Sequence, residues 1–217
     1  MPNANLIICT HPVVLHKIAQ LRDEATTPQE FRRLSYEISL FLGYEATRQL
    51  LTKEDEVETP LMKTEVKVID AQPMLVPILR AGLCMVDAML LILPEAAVGH
   101  VGLFRDHDTL EPVEYYVKLP RDLSGWSCFI LDPMLATGGS VSHTIKLLKQ
   151  RGAEHITLIS LVAAPEGVAR MLDAHPDVSV VIGVLDEKLN TSGYILPGLG
   201  DAGDRLYRTV SFSERLV

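Results

Sequence analysis

The sequence predicts an α/β fold, a parallel twisted sheet flanked by helices. Three observations carry this. Short apolar runs alternate with amphipathic stretches from residue 74 to residue 185, a pattern that implies parallel strands joined by helical crossovers. Gly82, Pro94, Gly152 and Pro165 punctuate the boundaries between those runs, where turns and helix ends belong. The chain has 217 residues, 47% of them hydrophobic, enough for a sizeable core in one domain spanning 1–217.

The elements follow in order. Thr27-Pro28-Gln29-Glu30 reads as a capping box with Pro at the first helical position. Phe31, Leu34, Ile38, Phe41 and Leu42 then recur at helical spacing, predicting one long helix to about Leu51 within an N-terminal helical arm of about 1–52. The charged segment 52–70, with alternating Val66 and Val68, reads as a loop and an edge hairpin. Met74–Leu79 is a strand, Arg80-Ala81-Gly82 a turn, and Leu83–Leu93 a helix closed by Pro94. Val98–Phe104 and Val113–Leu119 flank a polar, turn-rich stretch, so 104–120 is expected to project as a β-hairpin. Cys128–Leu131 is a strand, Val141–Arg151 a helix ended by Gly152. Ile156–Ala163, the most β-branched run, is a central strand, followed by a short helix over Pro165–Ala174 and a strand over Val178–Leu185.

Composition excludes several classes. The net charge is −8, from 28 acidic and 20 basic residues, against the basic surface that nucleic-acid binding needs. Cys9, Cys84 and Cys128 are odd in number and far apart, without zinc spacing, and suit a reducing compartment. The longest apolar stretch, Met85–Leu93, contains Asp87 and ends at Pro94, too short to span a bilayer; no signal peptide is evident. A cytoplasmic protein is expected. His11, His16, His100 and His155 have no motif partner and read as structural, and His107 between Asp106 and Asp108 as solvated. The run Glu54-Asp55-Glu56 reads as a solvated face.

The chemistry concentrates at Phe129-Ile130-Leu131-Asp132-Pro133-Met134-Leu135-Ala136-Thr137-Gly138-Gly139-Ser140. An apolar strand ends in an acid, and small residues lead into an amphipathic helix. Short side chains at 136–140 leave backbone N–H groups uncovered at the helix start, where orphan donors and the helix dipole favour an anion. A carboxylate beside such a cradle repels a bare phosphate but suits a ligand that carries phosphate and hydroxyls together. The segment is not a P-loop, since Ser140 stands where that motif needs Lys. It resembles the phosphoribosyl-diphosphate (PRPP) loop of the type I phosphoribosyltransferases.

A second constellation is Tyr194-Ile195-Leu196-Pro197-Gly198-Leu199-Gly200-Asp201-Ala202-Gly203-Asp204. Its three Gly and one Pro forbid regular structure, and ordered backbone groups there can read the edge of a flat heterocycle. With Leu75-Val76-Pro77-Ile78-Leu79-Arg80-Ala81-Gly82, Leu110-Glu111-Pro112-Val113-Glu114-Tyr115-Tyr116, Leu161-Val162-Ala163-Ala164-Pro165-Glu166-Gly167 and Ala174-His175-Pro176-Asp177-Val178, the chain resembles the uracil branch of that family from about His11 to Asp204.

The resemblance implies transfer of the 5-phosphoribosyl group from PRPP to N1 of uracil with Mg²⁺, giving UMP and diphosphate, beneath a C-terminal base-binding hood. It implies that Asp132, Pro133, Met134, Leu135, Ala136, Thr137, Gly138, Gly139 and Ser140 hold the ribose and its 5′-phosphate. Arg80 contacts the diphosphate, and Arg105 closes over PRPP from the hairpin, which acts as a lid. Ile195, Gly200, Asp201 and Ala202 meet uracil, mainly through backbone, with Asp201 facing PRPP and Tyr194 bordering the ribose. Asp132, Arg80 and Asp201 are the expected catalytic residues. No protein metal site is implied, since Mg²⁺ is held mainly through PRPP. Uracil presents an acceptor–donor–acceptor edge that cytosine does not, and a backbone N–H, C=O, N–H set rejects the wrong base by factors of roughly 10⁴. The acceptor of the N1 proton stays open between Asp201, water and the diphosphate. Homo-oligomers and a GTP effector are also implied. Cys84 departs from the small residue expected behind the diphosphate turn. The alternatives are a PRPP- or UMP-sensing regulator, an enzyme for another base, and an inactive relative.

Overall fold

The structure, a computed structural model, describes residues 5–105 and 112–209, with the side chains of Arg105 and Pro112 outside that description. The main sheet contains β1 (Leu6–Ile8), β4 (Gln72–Leu79), β5 (Ala97–Val98), β6 (His100–Arg105), β7 (Pro112–Lys118), β8 (Trp126–Leu131), β9 (Met134–Leu135), β10 (His155–Ala163) and β11 (Ser179–Leu185). Its order is β1-β11-β10-β8-β4-β6-β7, with β5 also on β4 and β9 on β10. Every pairing is parallel except β6 with β7. The helices are α1 (Pro12–Arg22), α2 (Pro28–Ala46), α3 (Val86–Ile92), α4 (Gly139–Lys149), α5 (Pro165–Ala174) and α6 (Ala202–Tyr207).

The central strands β4, β8, β10 and β11 are buried on both faces over their middle residues, where they are nearly continuously apolar. Side chains alternate across the sheet. Leu75, Phe129, Leu131, Ile159 and Val181 face the layer holding Val14, Ile18, Phe31, Ile38, Leu42, Met89 and Leu206. Their neighbours Met74, Val76, Cys128, Ile130, Leu158 and Val180 face the layer holding Val141, Ile145, Leu148, Val168 and Met171. Thus α1, α2, α3 and α6 cover one face, and α4 and α5 the other.

Several sequence expectations need adjustment. The long helix begins as predicted, with the Thr27 side chain accepting from Glu30 N, but it ends at Ala46. A short 3₁₀ turn over Thr47–Gln49 follows, and Leu50 is extended. The charged segment forms the expected hairpin, but not at the edge of the main sheet. β2 (Thr52–Glu58) and β3 (Lys63–Ile69) pair antiparallel over seven residues each, as a two-stranded sheet separate from the main one. The helix expected from Leu83 begins as a 3₁₀ turn over Ala81–Met85. Strand Val98–Phe104 is broken at Gly99, where a Cβ would meet Leu119 Cδ2 at 2.5 Å. The edge strand β1 and helix α1 carried no sequence signal of their own. His11 is structural: its side chain accepts from Val13 N at 3.2 Å and its ring stacks on Phe41.

Candidate active site

Three chain segments meet at the carboxyl end of the sheet, where parallel sheets place their ligands. Asp132 directly follows β8, Arg80 follows β4, and Asp186 follows β11.

The loop after Asp132 is more ordered than its small residues suggest. β9 pairs with β10, and Pro133 O accepts from Leu161 N and Val162 N at 3.0 and 3.1 Å. Gly138 takes a left-handed φ of 75° and is the N-cap of α4, with no side chain capping the helix. A Cβ on Gly138 would stand 3.3 Å from Gly167 O, so α5 packs directly against the loop. The first-turn N–H groups of α4 therefore face outward uncapped, as an anion site requires. Further along α4, Ser142 Oγ lies 2.8 Å from His175 Nε2, a buried pair joining α4 to the end of α5. His175 was not singled out in the sequence; only its place in Ala174-His175-Pro176-Asp177 marked it.

Asp132 accepts one long bond from Met134 N at 3.4 Å. Desolvation dominates and pushes its carboxyl up to about 7. Such a shift at a cleft is a functional signature. Cys84 packs against the core cluster that contains Leu131, and burial pushes its thiol up to about 12. The Cys84 side chain thus fills space behind the turn as an inert neutral group.

Arg80 joins this region to the C-terminal segment. A Cβ on Gly82, two residues on, would stand 2.2 Å from Leu131 O. The Arg80 guanidinium lies over the Tyr207 ring at 5.9 Å, 3.4 Å from Thr209 Oγ1 and 3.9 Å from Asp204 Oδ1. The peptide bond Leu79–Arg80 is cis, as is Leu196–Pro197. Asp201 is the N-cap of α6, and its side chain accepts from Asp204 N at 2.9 Å. One Asp201 oxygen is thereby committed to the helix.

The segment 194–204 is a hood anchored by a short antiparallel pair, β12 (Lys188–Leu189) with β13 (Ile195–Leu196). Ile195 and Ala202 are buried, while Gly200 and Tyr194 are exposed. Gly198 has φ 62°, and a Cβ there would stand 2.1 Å from Ile195 O, so only Gly fits. Sequence reasoning missed what holds this loop. Arg22, at the end of α1, donates Nη1 to Asp186 Oδ2 at 2.8 Å and to Gly198 O at 2.6 Å, and its Nη2 to Asp186 Oδ1. Gly198 N donates to Asp186 Oδ2 at 2.9 Å. Arg205 Nη1 donates to Leu21 O and Leu199 O at 2.8 and 3.0 Å and its guanidinium lies 4.4 Å over Phe31. A cavity of about 800 Å³ lies between this loop and residues 22–28, lined by Gly200 and Asp201 but not by Asp132 or Arg80.

The structure thus brings together Asp132, the 136–140 loop, Arg80 and Asp201. The Arg105 side chain, and the hairpin tip with His107 and Glu111, lie outside the described residues. Residues 8–209 match the family model described as uracil phosphoribosyltransferase. The chain belongs to the uracil phosphoribosyltransferase family. It is 54% identical over 200 residues to a uracil phosphoribosyltransferase of Clostridium botulinum, covering 92% of this chain and 96% of that one. A Clostridium perfringens uracil phosphoribosyltransferase is 53% identical over 201 residues, with the same coverage. Among solved structures, the AQ2163 protein of Aquifex aeolicus superposes with a TM-score of 0.90 at 36% identity, covering 95% of this chain and all of that one. A Bacillus anthracis hypoxanthine-guanine phosphoribosyltransferase, at 7% identity and a TM-score of 0.51 over 73% of this chain and 80% of that one, shares the fold alone. Among the described residues no helix is long and apolar enough to cross a membrane.

Proposed function

We propose that this chain transfers the phosphoribosyl group of PRPP to uracil. The C1–O bond to diphosphate breaks, a bond forms between ribose C1 and uracil N1, and the N1 proton leaves to an acceptor. The observation that carries the reading is the meeting of Arg80, Asp132 and the Asp201 hood at one end of the sheet, in a member of this family.

Each segment has a physical task. The uncapped start of α4 takes the 5′-phosphate through backbone N–H groups. Asp132 accepts from the ribose hydroxyls; donors arriving there favour its ionised form and draw its carboxyl back down from about 7. Arg80, half exposed, turns to the diphosphate and stabilises charge as it departs. The hood presents Gly200, whose backbone makes no hydrogen bond among the described residues, to the base and holds it in line. Arg105 and the 104–120 hairpin close over PRPP and exclude water.

Among the described residues no three His, Cys, Asp or Glu side chains converge to hold a metal. Asp132 offers one hard oxygen ligand, a donor set that fits Mg²⁺ only when substrate oxygens and water complete its shell. When bound, Mg²⁺ supplies charge neutralisation on the diphosphate. Self-association and a response to GTP belong to the same reading; Leu91 and Tyr44, 67% and 66% exposed, are apolar surface available to a second copy. Sedimentation with and without GTP tests both.

The deciding experiment is UMP formation from radiolabelled uracil, PRPP and Mg²⁺, with cytosine, hypoxanthine and metal-free controls. Turnover with uracil alone, dependent on Mg²⁺, is expected. No turnover with any base overturns the reading.

A further inference from the structure

The pair Arg22–Asp186 belongs to neither the phosphate loop nor the diphosphate turn, yet it is the most heavily bonded charge pair near the hood. Asp186 is buried, with its side chain only 4% exposed. Its backbone N donates to Ala163 O at 2.8 Å, which ties it to the end of β10. Both of its oxygens take the Arg22 guanidinium in a fork, and Oδ2 also takes Gly198 N. Arg22 spans to the other side of the same residue, donating to Gly198 O. Both polar groups of Gly198 are therefore held by charged side chains. The next carbonyl, Leu199 O, is held by Arg205. Both polar groups of Gly198 and the Leu199 carbonyl are thus spoken for before the chain reaches Gly200, whose exposed backbone is left for a ligand.

We propose that Arg22 and Asp186 form a positioning clamp for the base-reading loop. They touch no substrate. They set the orientation of the Gly198 peptide and so the direction in which the 200–202 backbone faces the base. The clamp rests on the hood reading above. Its consequence is specific to one substrate, because the PRPP loop and Arg80 are anchored by other contacts. Charge-assisted forked bonds are directional and strong, so small changes in the pair rotate the loop rather than merely loosen it. Asp186→Asn tests this at nearly constant volume. An amide offers one acceptor and one donor where the carboxylate offers two acceptors, so an N–H group must face either Arg22 or Gly198 N, both donors. Arg22→Lys keeps the charge and loses the fork.

The experiment measures KM for uracil and for PRPP, kcat at saturation and the thermal midpoint, for the full chain, Asp186→Asn and Arg22→Lys. Expected are a rise in uracil KM of about tenfold or more for Asp186→Asn and a smaller rise for Arg22→Lys, with PRPP KM within about twofold of the parent. The uracil-to-cytosine preference falls in the same order. An unchanged uracil KM in both variants overturns the clamp. So does a parallel change of both KM values with a lowered midpoint, which is the mark of a purely structural pair. If Asp186→Asn does not fold, Arg22→Lys decides alone by the same two readings. An unmodified chain that turns over no base defeats the hood reading, and the clamp with it.

Discussion

Gly82 and Leu131 are in backbone contact, so close that a Cβ on Gly82 would stand 2.2 Å from the Leu131 carbonyl oxygen. This contact sets the Arg80 turn against the strand end that presents Asp132. It follows that Gly82→Ala drives the two apart. The obstacle is backbone, not a yielding side chain, so the loss of stability is expected at roughly 1–3 kcal/mol or more, with turnover reduced at least tenfold. Equilibrium denaturation and a PRPP-dependent assay check both; wild-type values in either would show that the turn accommodates the methyl.

Asp132 carries an electrostatic load at the strand end. Desolvation pushes its folded carboxyl up to about 7, above its ordinary value. A raised folded value means that the stabilising contribution is fully present below the unfolded value, near 4, and is lost as pH rises through 7. Asp132→Asn removes that loss. The variant is expected to melt several degrees above the parent at pH 8, to show a flatter midpoint from pH 5 to 8, and to lose most activity. A variant that melts no higher at pH 8 would place the carboxyl in a better solvated setting.

His175 works in the opposite direction. Burial lowers its value, with Lys149 adding to the shift. A histidine whose folded value is depressed contributes fully above the unfolded value, about 6.5, and the contribution fades as pH falls below it. Protonation would also place a second proton on the ring facing Ser142. Ser142→Ala, which leaves His175 Nε2 without its partner, is expected to cost about 1–3 kcal/mol at pH 7.5. Urea midpoints of parent and variant at that pH test the pair.

Arg80 is half exposed and bonds weakly to its neighbours, 3.4 Å from Thr209 and 3.9 Å from Asp204. Arg80→Ala is expected to leave the thermal midpoint nearly unchanged, since surface contacts of this kind contribute little. On the proposed function it lowers kcat/KM for PRPP by about 10²–10³. The observation that would remove Arg80 from the chemistry is a kcat/KM for PRPP near the parent value.

The alternation of apolar runs and turn residues made the sheet legible, because strands buried on both faces read as nearly continuous apolar runs. The capping box Thr27–Glu30 was legible for the same local reason. Asp132, Arg80 and the 136–140 loop stood out because each sits where a strand run stops and small residues begin. The early end of α2 at Ala46 was not legible, since Thr47, Arg48 and Gln49 are compatible with a helix and only tertiary placement turns them into a 3₁₀ turn. Strand β1 was hidden too: three residues of Leu and Ile become a strand only when β11 lies beside them.

By itself the sequence determined the alternation of strands and helices along the chain and the run of small residues, after the acid at a strand end, that opens a helix. These are properties of neighbouring residues, governed by local sterics and periodicity. Only the tertiary structure decided which charges meet. Arg22 and Asp186 are 164 positions apart, and no spacing rule connects them. The parallel sheet does, because it delivers every strand end to one edge, where α1, the hood and the Arg80 turn are brought within hydrogen-bonding reach of one another.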